Sequence, residues 1–508
     1  MALSQDKKPD PSRTKLSRGS ALAAGGAVLL ASNVVRQALA FLALIVTARL
    51  LTPEDFGVIA YFLVATTLLD MLQRQISMVL IRIEDVSYDH LYTVFTLQIM
   101  LGLLGALFFW VSGPFLTLIG LPELIEIIPA ISAYALLIAI RNPRFILYER
   151  GLRFSMAVAE ETINRVIYVA VAIYLAWLWR DYWALIAAVF ASFTASILFS
   201  YTAAPMLPRL SLSRWRDSLS FSSWAIGSQL CQFLSSRMPL LVIGAVLGLA
   251  EAGIFRIGMR VTDLVTKQFF AVLQRVVYPG LADVSRSSGK KKEAFLRLNE
   301  LLLGMSLPLS VGTALIAEDV VIHGFGEKWA DAAPVIWVLA PLAGLVVLQK
   351  NVRAASYVDG AMRMLFVRNA LLLACVSLFM WIGTQYGFTG GLVAAGLSSL
   401  TALIFTLYMA RQFGNGGFLE PLTVAWRSFA ACGVMALAVF STDLALRGGL
   451  FDASVLIIVL AKIGVGLIVY TLIHGFLWKL AGRPEGFETV ILSISKRALS
   501  FLKNRKNA

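Results

Sequence analysis

The residues with the clearest potential for chemistry are four charges inside one apolar stretch, which runs from Gly253 to Gly280. They follow one another at intervals of four, three and four residues, so on a helix they share one face: Arg256, Arg260, Asp263 and Lys267. A charge near the bilayer centre costs about 2.5 to 3.5 kcal/mol on insertion scales, so this face must meet protein or water. Three cations against one carboxylate predict a wall that binds an anionic group such as a diphosphate. The alternative is a self-neutralising network, since Asp263 is spaced to pair with Arg260 and Lys267.

Polar side chains also line one face of the first, second and seventh apolar segments. We interpret these side chains, and also Arg256, Arg260 and Lys267, as substrate-binding residues. The polar side chains of the three segments are Asn33, Arg36, Gln37, Arg74, Gln229, Gln232 and Arg237. Two acids among the positive charges, Asp70 and Asp263, are candidates for ion coupling. Arg36 has no carboxylate within four residues on its own helix. Asp70 and Arg74 are spaced to satisfy each other, which is the structural alternative for that pair.

Other polar residues of the apolar segments have a structural interpretation. Glu161 and Arg165 lie close to one end of the fifth segment, and Lys462 and His474 lie in the last one. The three histidines are far apart, and the three cysteines fall in apolar segments without metal or disulfide spacing. We therefore predict no metal site, no catalytic site and no cofactor.

The composition places these residues in a membrane protein. The chain has 508 residues, of which 58% are hydrophobic and 15% are charged, and its mean hydropathy is +0.78. Soluble proteins have about 25% charged residues, so we predict an all-α polytopic membrane protein. A net charge of +14 would suggest a nucleic-acid partner in a soluble chain. Here Lys and Arg concentrate in alternate loops, so no nucleic acid is expected.

Fourteen apolar segments approach the length of about 20 residues that crosses a bilayer. A polar link after the sixth separates two groups of six. We predict these parts in chain order: a cytoplasmic tail 1–21, an N-lobe 22–203 with helices one to six, a cytoplasmic link 204–218, a C-lobe 219–410 with helices seven to twelve, helices thirteen and fourteen over 426–478, and a basic amphipathic cytoplasmic tail 479–508. The tail suits an anionic lipid surface, because its apolar residues repeat at helical spacing opposite basic ones.

The loop charges predict the orientation. Arginine and lysine cluster in the connectors 141–153, 209–216, 286–297 and 350–363, whereas 112–126, 248–252 and 384–388 have neither. By the positive-inside rule the first group is cytoplasmic, and both termini lie in the cytoplasm. One connector fits poorly, because residues 82–90 combine Arg82 with three acids.

The two groups of six segments show an internal repeat. Residues 51–57, Leu-Thr-Pro-Glu-Asp-Phe-Gly, align with residues 247–253, Leu-Gly-Leu-Ala-Glu-Ala-Gly. The same offset carries the polar face of the first segment onto that of the seventh. Two six-helix lobes in the same topology predict a pseudo-twofold axis along the membrane normal, with the substrate site between the lobes.

The connector from Ala48 to Ala60, ARLLTPEDFGVIA, resembles the signature after the first helix of bacterial polysaccharide exporters. These are lipid-linked oligosaccharide flippases (Wzx-like transporters) of the multidrug/oligosaccharidyl-lipid/polysaccharide superfamily. Further similar segments follow in a consistent order over roughly residues 20–420: Asn142-Pro143, residues 149–154, residues 246–253, Tyr278-Pro279 and residues 326–329. The chain is most similar to the colanic acid and succinoglycan exporter branch.

The resemblance implies a MATE-like fold and a function. Members of this family move an undecaprenyl-diphosphate-linked oligosaccharide across the bacterial inner membrane by alternating access, for exopolysaccharide or lipopolysaccharide synthesis. The implied partners are that lipid-linked oligosaccharide, anionic membrane lipids, and a polysaccharide polymerase or co-polymerase complex. No covalent bond is expected to be made or broken.

Two other functions stay open at this point. A cation-coupled multidrug antiporter of the same superfamily would need an acidic site for cationic drugs, whereas the midspan charges here favour anions. A membrane polysaccharide polymerase or ligase would need a sizeable periplasmic loop with catalytic side chains, whereas outer connectors such as 318–331 are short.

Overall fold

The computed structural model describes residues 35–118, 120–151, 154–216, 223–263, 291–358, 362–414, 417–446, 455–483 and 488. The regular structure in these ranges is helical, and no strand occurs in them. The all-α prediction is therefore confirmed. The chain divides into two compact units between Arg256 and Ile257.

The first unit consists of helices joined by short turns. A 3-10 turn (Pro122–Ile127) precedes the fourth helix, and two short helical turns (Pro143–Phe145 and Ile146–Arg150) follow it. The longer helices are α1 (35–50), α2 (Pro53–Arg82), α3 (Tyr88–Leu118), α4 (Ile128–Ala139), α5 (Phe154–Trp179), α6 (Trp183–Ala203) and α7 (Ser223–Leu247).

The division between the units falls inside α8 (249–263). Short helices connect the second unit's long ones: Ala317–Asp319, Val320–Phe325 and Glu327–Trp329 lie between the first two, and Glu420–Thr423 lies before the fifth. The long helices after α8 are α9 (Lys291–Leu315), α10 (Ala332–Val358), α11 (Met362–Thr384), α12 (Gly387–Gly414), α13 (Trp426–Ala445) and α14 (Val455–Leu480).

Twelve helices in the described part of the chain are long and apolar enough to cross a membrane, counting Pro122–Ala139 as one. Their outward faces are apolar, as lipid requires; α3, for example, exposes Leu104, Phe108 and Phe115. A multi-pass membrane protein is thus confirmed. Over their described residues α1 and α8 are shorter than the length that spans a bilayer. The count of fourteen spans and the symmetry of two lobes stay predictions.

The start of α2 shows why the chain turns where it does. Thr52 and Asp55 form a capping box: Asp55 Oδ2 accepts from the Thr52 amide at 2.8 Å, and Thr52 Oγ1 accepts from the Asp55 amide at 3.2 Å. Pro53 occupies the first turn, where its missing N–H costs nothing. At the corresponding point between α7 and α8, Gly248 has φ of 114°, a conformation that favours glycine.

Each unit has its own packed interior. In the first, Tyr134 of α4 makes edge contacts with Phe62, Phe190 and Phe193 of α2 and α6. In the second, a cluster joins α9, α10, α12, α13 and α14 through the following buried residues: Leu303, Leu307, Leu348, Leu407, Met435, Val439 and Tyr470. The last two helices are therefore an integral part of the second unit's core.

Candidate functional site: the polar interior of the first unit

Arg36 is the cation that lies deepest among the predicted ligands of the first unit. On α1 it is 9% exposed, and its Nη1 donates to Glu161 Oε2 of α5 at 2.7 Å. The Glu161 side chain is 59% exposed, whereas that of Arg36 is 11% exposed. Sequence spacing could not reveal this partner, because it comes from another helix. Asn33 lies outside the described residues.

Asp70 belongs to a cluster in which two carboxylates share one guanidinium. Arg141, just after α4, places Nη2 2.9 Å from Glu160 Oε1 and Nη1 3.9 Å from Asp70 Oδ1. Glu160 is buried, and it also accepts a hydrogen bond from the Ser196 hydroxyl of α6. The three charged groups sum to one negative charge, so this cluster has the capacity to take up a proton or another small cation.

Arg74, one turn along α2 from Asp70, is directed to a different partner. Its Nη2 lies 3.4 Å from Glu149 Oε1, in the short helix Ile146–Arg150, and its side chain is half exposed. Asp70 and Arg74 thus each have a partner from elsewhere in the unit, and the charge of Arg74 also stabilises the charged form of Asp70. The sequence had indicated Arg141 and Glu149 only as residues of a charged connector.

A set of glutamines forms the neutral part of this interior. Gln75 Nε2 of α2 donates to Gln229 Oε1 of α7 at 2.5 Å. Five buried glutamine amide atoms of this unit have no hydrogen-bond partner among the described residues: Gln37 Nε2, Gln73 Oε1, Gln75 Oε1, Gln98 Oε1 and Gln232 Oε1. They belong to α1, α2, α3 and α7. Carboxamides offer both donors and acceptors, which is the chemistry that binds hydroxyl groups of sugars. Gln75 was not among the predicted ligands.

The two other arginines of the first unit that the sequence predicted as ligands lie against aromatic rings. The guanidinium of Arg237 is 5.8 Å from the Phe233 ring centroid, and that of Arg256 is 5.7 Å from the Phe56 ring centroid. Arg256 Nη1 also donates to the main-chain oxygen of Phe56 at 3.1 Å. Arg256 is therefore held against the start of α2.

In the second unit, the structure describes Arg260 and Asp263 of the charged stripe, and Lys267 lies outside the described residues. Both are half-buried on α8. Arg260 makes no hydrogen bond or ion pair with another described residue.

Two buried charge clusters join α9, α13 and α14. Lys462 Nζ of α14 lies 2.5 Å from both Asp319 Oδ2 and Asp443 Oδ1. Farther along α14, His474 hydrogen-bonds Ser428 of α13 at 3.0 Å. Beside it, Arg427 pairs with two acids, Glu300 and Glu488. The structural interpretation of Lys462 and His474 is consistent with these partners. Among the described residues, no group of three or more His, Cys, Asp or Glu could hold a metal ion.

Comparison with known proteins shows which family the chain matches and which proteins it is similar to. The family described as "Polysaccharide biosynthesis protein" matches residues 46–334. The succinoglycan biosynthesis transport protein ExoT of Rhizobium meliloti (strain 1021) is 25% identical over 312 residues, 61% of this chain and 63% of that protein. The lipopolysaccharide biosynthesis protein WzxC of Escherichia coli (strain K12) is 23% identical over 314 residues, 61% of this chain and 64% of that protein. The aligned part thus spans under two thirds of each relative.

A solved structure shows the same fold. The lipid II flippase MurJ in an inward closed conformation superposes with a TM-score of 0.67 at 11% identity, covering 90% of this chain and 100% of that one. The match runs through both units, and the family match covers more than half of the chain. The chain belongs to the polysaccharide biosynthesis protein family.

Proposed function

We propose that this protein is a flippase, which moves an undecaprenyl-diphosphate-linked oligosaccharide from the cytoplasmic to the periplasmic leaflet of a bacterial inner membrane. It serves exopolysaccharide or lipopolysaccharide synthesis and makes or breaks no covalent bond. The observation that carries the proposal is the ion pair of Arg36 with Glu161, a buried cation on a membrane helix held by a largely exposed acid. The names of the relatives, a polysaccharide transport protein and a lipid II flippase, support the same class of substrate.

The charge of Arg36 has a use in this function. A diphosphate that leaves water needs compensation by fixed cations, because an unpaired charge in a low-dielectric interior is very costly. Glu161 is proposed to hold Arg36 when no substrate is bound and to give it up to the diphosphate, because an exposed ion pair is held less tightly than a fully buried one. Arg74, Arg237, Arg260 and Lys267 are proposed to complete the cationic lining. Arg256 is assigned to the contact with Phe56 instead.

The sugars are proposed to meet the glutamines. Gln37 and Gln232 have buried amide atoms that no described group satisfies, and Gln229 shares a hydrogen bond that a sugar hydroxyl could replace. These neutral groups bind hydroxyls without selecting charge, which suits a repeat unit of several sugars. Asn33 is proposed to extend this set.

Ion coupling is proposed for Asp70, with Asp263 in the same role on α8. The cluster around Asp70 has one negative charge in excess, so a proton or sodium ion bound there would neutralise it. Transport by alternating access then draws on the ion gradient. We further propose that both termini are cytoplasmic, that the tail 479–508 binds anionic lipids, and that a polymerase or co-polymerase receives the product.

A deletion strain tests the function. Removing the protein should abolish surface polysaccharide, and lipid-linked repeat units should accumulate in the cytoplasmic leaflet. Their leaflet is read by accessibility to a periplasmically added glycosidase before and after membrane permeabilisation. If the units reach the periplasm unpolymerised, the protein is a polymerase or ligase. If surface polysaccharide persists while resistance to cationic drugs falls, the multidrug antiporter is the correct function.

A further inference from the structure

The chain beyond α14 returns to the helices of the second unit and buries an acid among them. Glu488 follows Leu480, the last residue of α14, and its side chain is 8% exposed. Its Oε1 atom lies 2.9 Å from Arg427 Nη1 at the start of α13, and 3.3 Å from His474 Nδ1 on α14. Glu300 of α9 also pairs with Arg427. We call these four charged or titratable residues the tail cluster.

Charge rather than hydrogen bonding holds Glu488 in the tail cluster. Neither carboxylate oxygen of Glu488 has a hydrogen-bond partner among the described residues. The single guanidinium of Arg427 serves two acids, Glu488 and Glu300. With a neutral His474 the cluster therefore has one negative charge in excess, although none of its four side chains is more than 9% exposed. An unbalanced charge is costly in such an interior, and a proton on His474 would balance it.

His474 can take up that proton without losing its hydrogen bond to α13. Its Nε2 atom lies 3.0 Å from Ser428 Oγ. A hydroxyl donates to Nε2 when the neutral ring has its proton on Nδ1, and it accepts from Nε2 once both nitrogens are protonated. Two further titratable residues lie nearby: the ring of Tyr470 is 5.3 Å from that of His474, and Cys432 belongs to the same buried cluster as Tyr470. Tyrosine and cysteine are ordinarily uncharged at neutral pH, so the charge that changes there is that of the histidine.

We propose that the tail cluster is a pH-dependent latch for the C-terminal segment, which docks when His474 is protonated and is released when His474 is neutral. Glu488 is the acid that leaves, because Glu300 lies within the long helix α9 whereas Glu488 follows the last helix. Its departure places one carboxylate in water and leaves Arg427 and Glu300 as a balanced pair. On the predicted orientation, the latch responds to the pH of the cytoplasm.

The sign of the pH dependence follows from the charge of the ring. Histidine changes its charge between about pH 5 and 8. Docking is therefore expected at the acidic end of this range and release at the alkaline end. The inference depends on neither the transported substrate nor the coupling ion, so it stands or falls separately from the proposed function.

The mobility of a spin label in the tail tests the latch. A nitroxide is attached to a cysteine at Ser493, with the three native cysteines replaced, and is followed by electron paramagnetic resonance in the purified full-length protein. In the parent protein the mobility of the label should rise severalfold between about pH 6 and about pH 8.5. Glu488→Gln keeps the size of the side chain without its charge, so its label should be mobile at both pH values. His474→Gln keeps a partner for Ser428 and should abolish the pH response.

Matched controls remove the same groups elsewhere in the second unit. His323 and Glu318 are both exposed, so His323→Gln and Glu318→Gln should respond to pH as the parent protein does. Equal mobility of the parental label at the two pH values would overturn the latch, and this result requires no variant to fold. A pH response that survives in His474→Gln would overturn it too, as would a label in Glu488→Gln that stays as immobile as the docked parental one.

Discussion

The ion pair between Arg36 and Glu161 joins a cation that the helices bury to an acid whose side chain is largely exposed. The free-energy cost of separating such a pair differs between its two partners. Losing the acid's contact costs little, because water replaces it, whereas leaving the cation without any anion is costly. A bound diphosphate would take the place of Glu161 and give Arg36 two oxygens for its forked donors. The exchange of one anion for another is therefore the step that single substitutions should reveal.

Arg36→Ala should reduce glycan export by about tenfold or more, because truncating one partner of a buried charge pair costs about 2 to 5 kcal/mol. Arg36→Lys should retain part of the export, since the charge survives without the bidentate fork. Export is measured by complementation of the deletion strain at matched membrane abundance. Arg209→Ala, an exposed arginine of the link 204–218, is the control and should export normally. Normal export by Arg36→Ala/Arg260→Ala would rule out the cationic site.

Asp70→Asn should leave the protein inserted and weaken the pH dependence of export. With one carboxylate removed, Arg141 and Glu160 balance each other, and the cluster no longer has a charge for a proton to neutralise. Export is followed at several external pH values in the complemented strain. Asp89→Asn, on the exposed start of α3, is the control. An unchanged pH profile in Asp70→Asn would remove Asp70 from the coupling site and leave Asp263 as the candidate.

Single residues show the limit of what the sequence could predict. Helical spacing identified Arg36 and Asp70 as members of polar faces in apolar segments, because residues that share a face of one helix can be counted along the chain. Their partners Glu161 and Arg141 come from other helices, so no spacing indicates them. Gln75 of α2 was missed for a different reason: it follows Arg74 directly and so lies off the helix face that Asp70 and Arg74 share.

Helices were easier to predict than residues, since an apolar run of sufficient length forms a span almost regardless of its details. The turn residues of the connector between α1 and α2 also agree with the structure. Pro53 begins α2, as a proline in the first turn favours. The buried charge clusters of α14 could not be predicted from the sequence in this way. Lys462 and His474 are isolated in its sequence, yet each lies in a buried cluster that reaches α13, and Asp319 follows α9 directly.

Lys462→Met should destabilise the protein by about 3 to 5 kcal/mol, the cost of breaking a buried ion pair by removing one partner. The side chains of Lys462 and Asp319 are each 3% exposed and that of Asp443 is 28% exposed, so two acids would be left without their shared cation. The measurement is the thermal unfolding midpoint of the purified protein in detergent. Lys462→Met/Asp319→Asn should recover part of the loss. Lys479 is exposed at the end of the same helix, so Lys479→Met is the control and should change the unfolding midpoint little. Equal midpoints for Lys462→Met and Lys479→Met would contradict a structural role of the cluster.

For the whole molecule, the charge asymmetry of the loops predicts the orientation. A cysteine placed at Lys328, exposed in the short helix Glu327–Trp329, should react with an impermeant maleimide added to intact cells. A cysteine at Arg209 should react only after permeabilisation. The physical reason is that arginine and lysine clusters resist translocation across the membrane. The reverse pattern would invert the predicted orientation.

The packing of α7 along α2 has a consequence for dissecting the protein into fragments. The Tyr61 hydroxyl donates to the Leu241 oxygen at 2.7 Å, and the ring of Tyr61 covers Gly244. A chain cut in the link 204–218 would separate α7 from the helix on which it packs, although the repeat in the sequence suggests that point as the natural border. Two co-expressed fragments cut there would have to rebuild the α2–α7 contact between separate polypeptides. Fragments cut within 264–290 would keep that contact inside one of them, so this second cut should yield the more soluble and better folded pair in detergent.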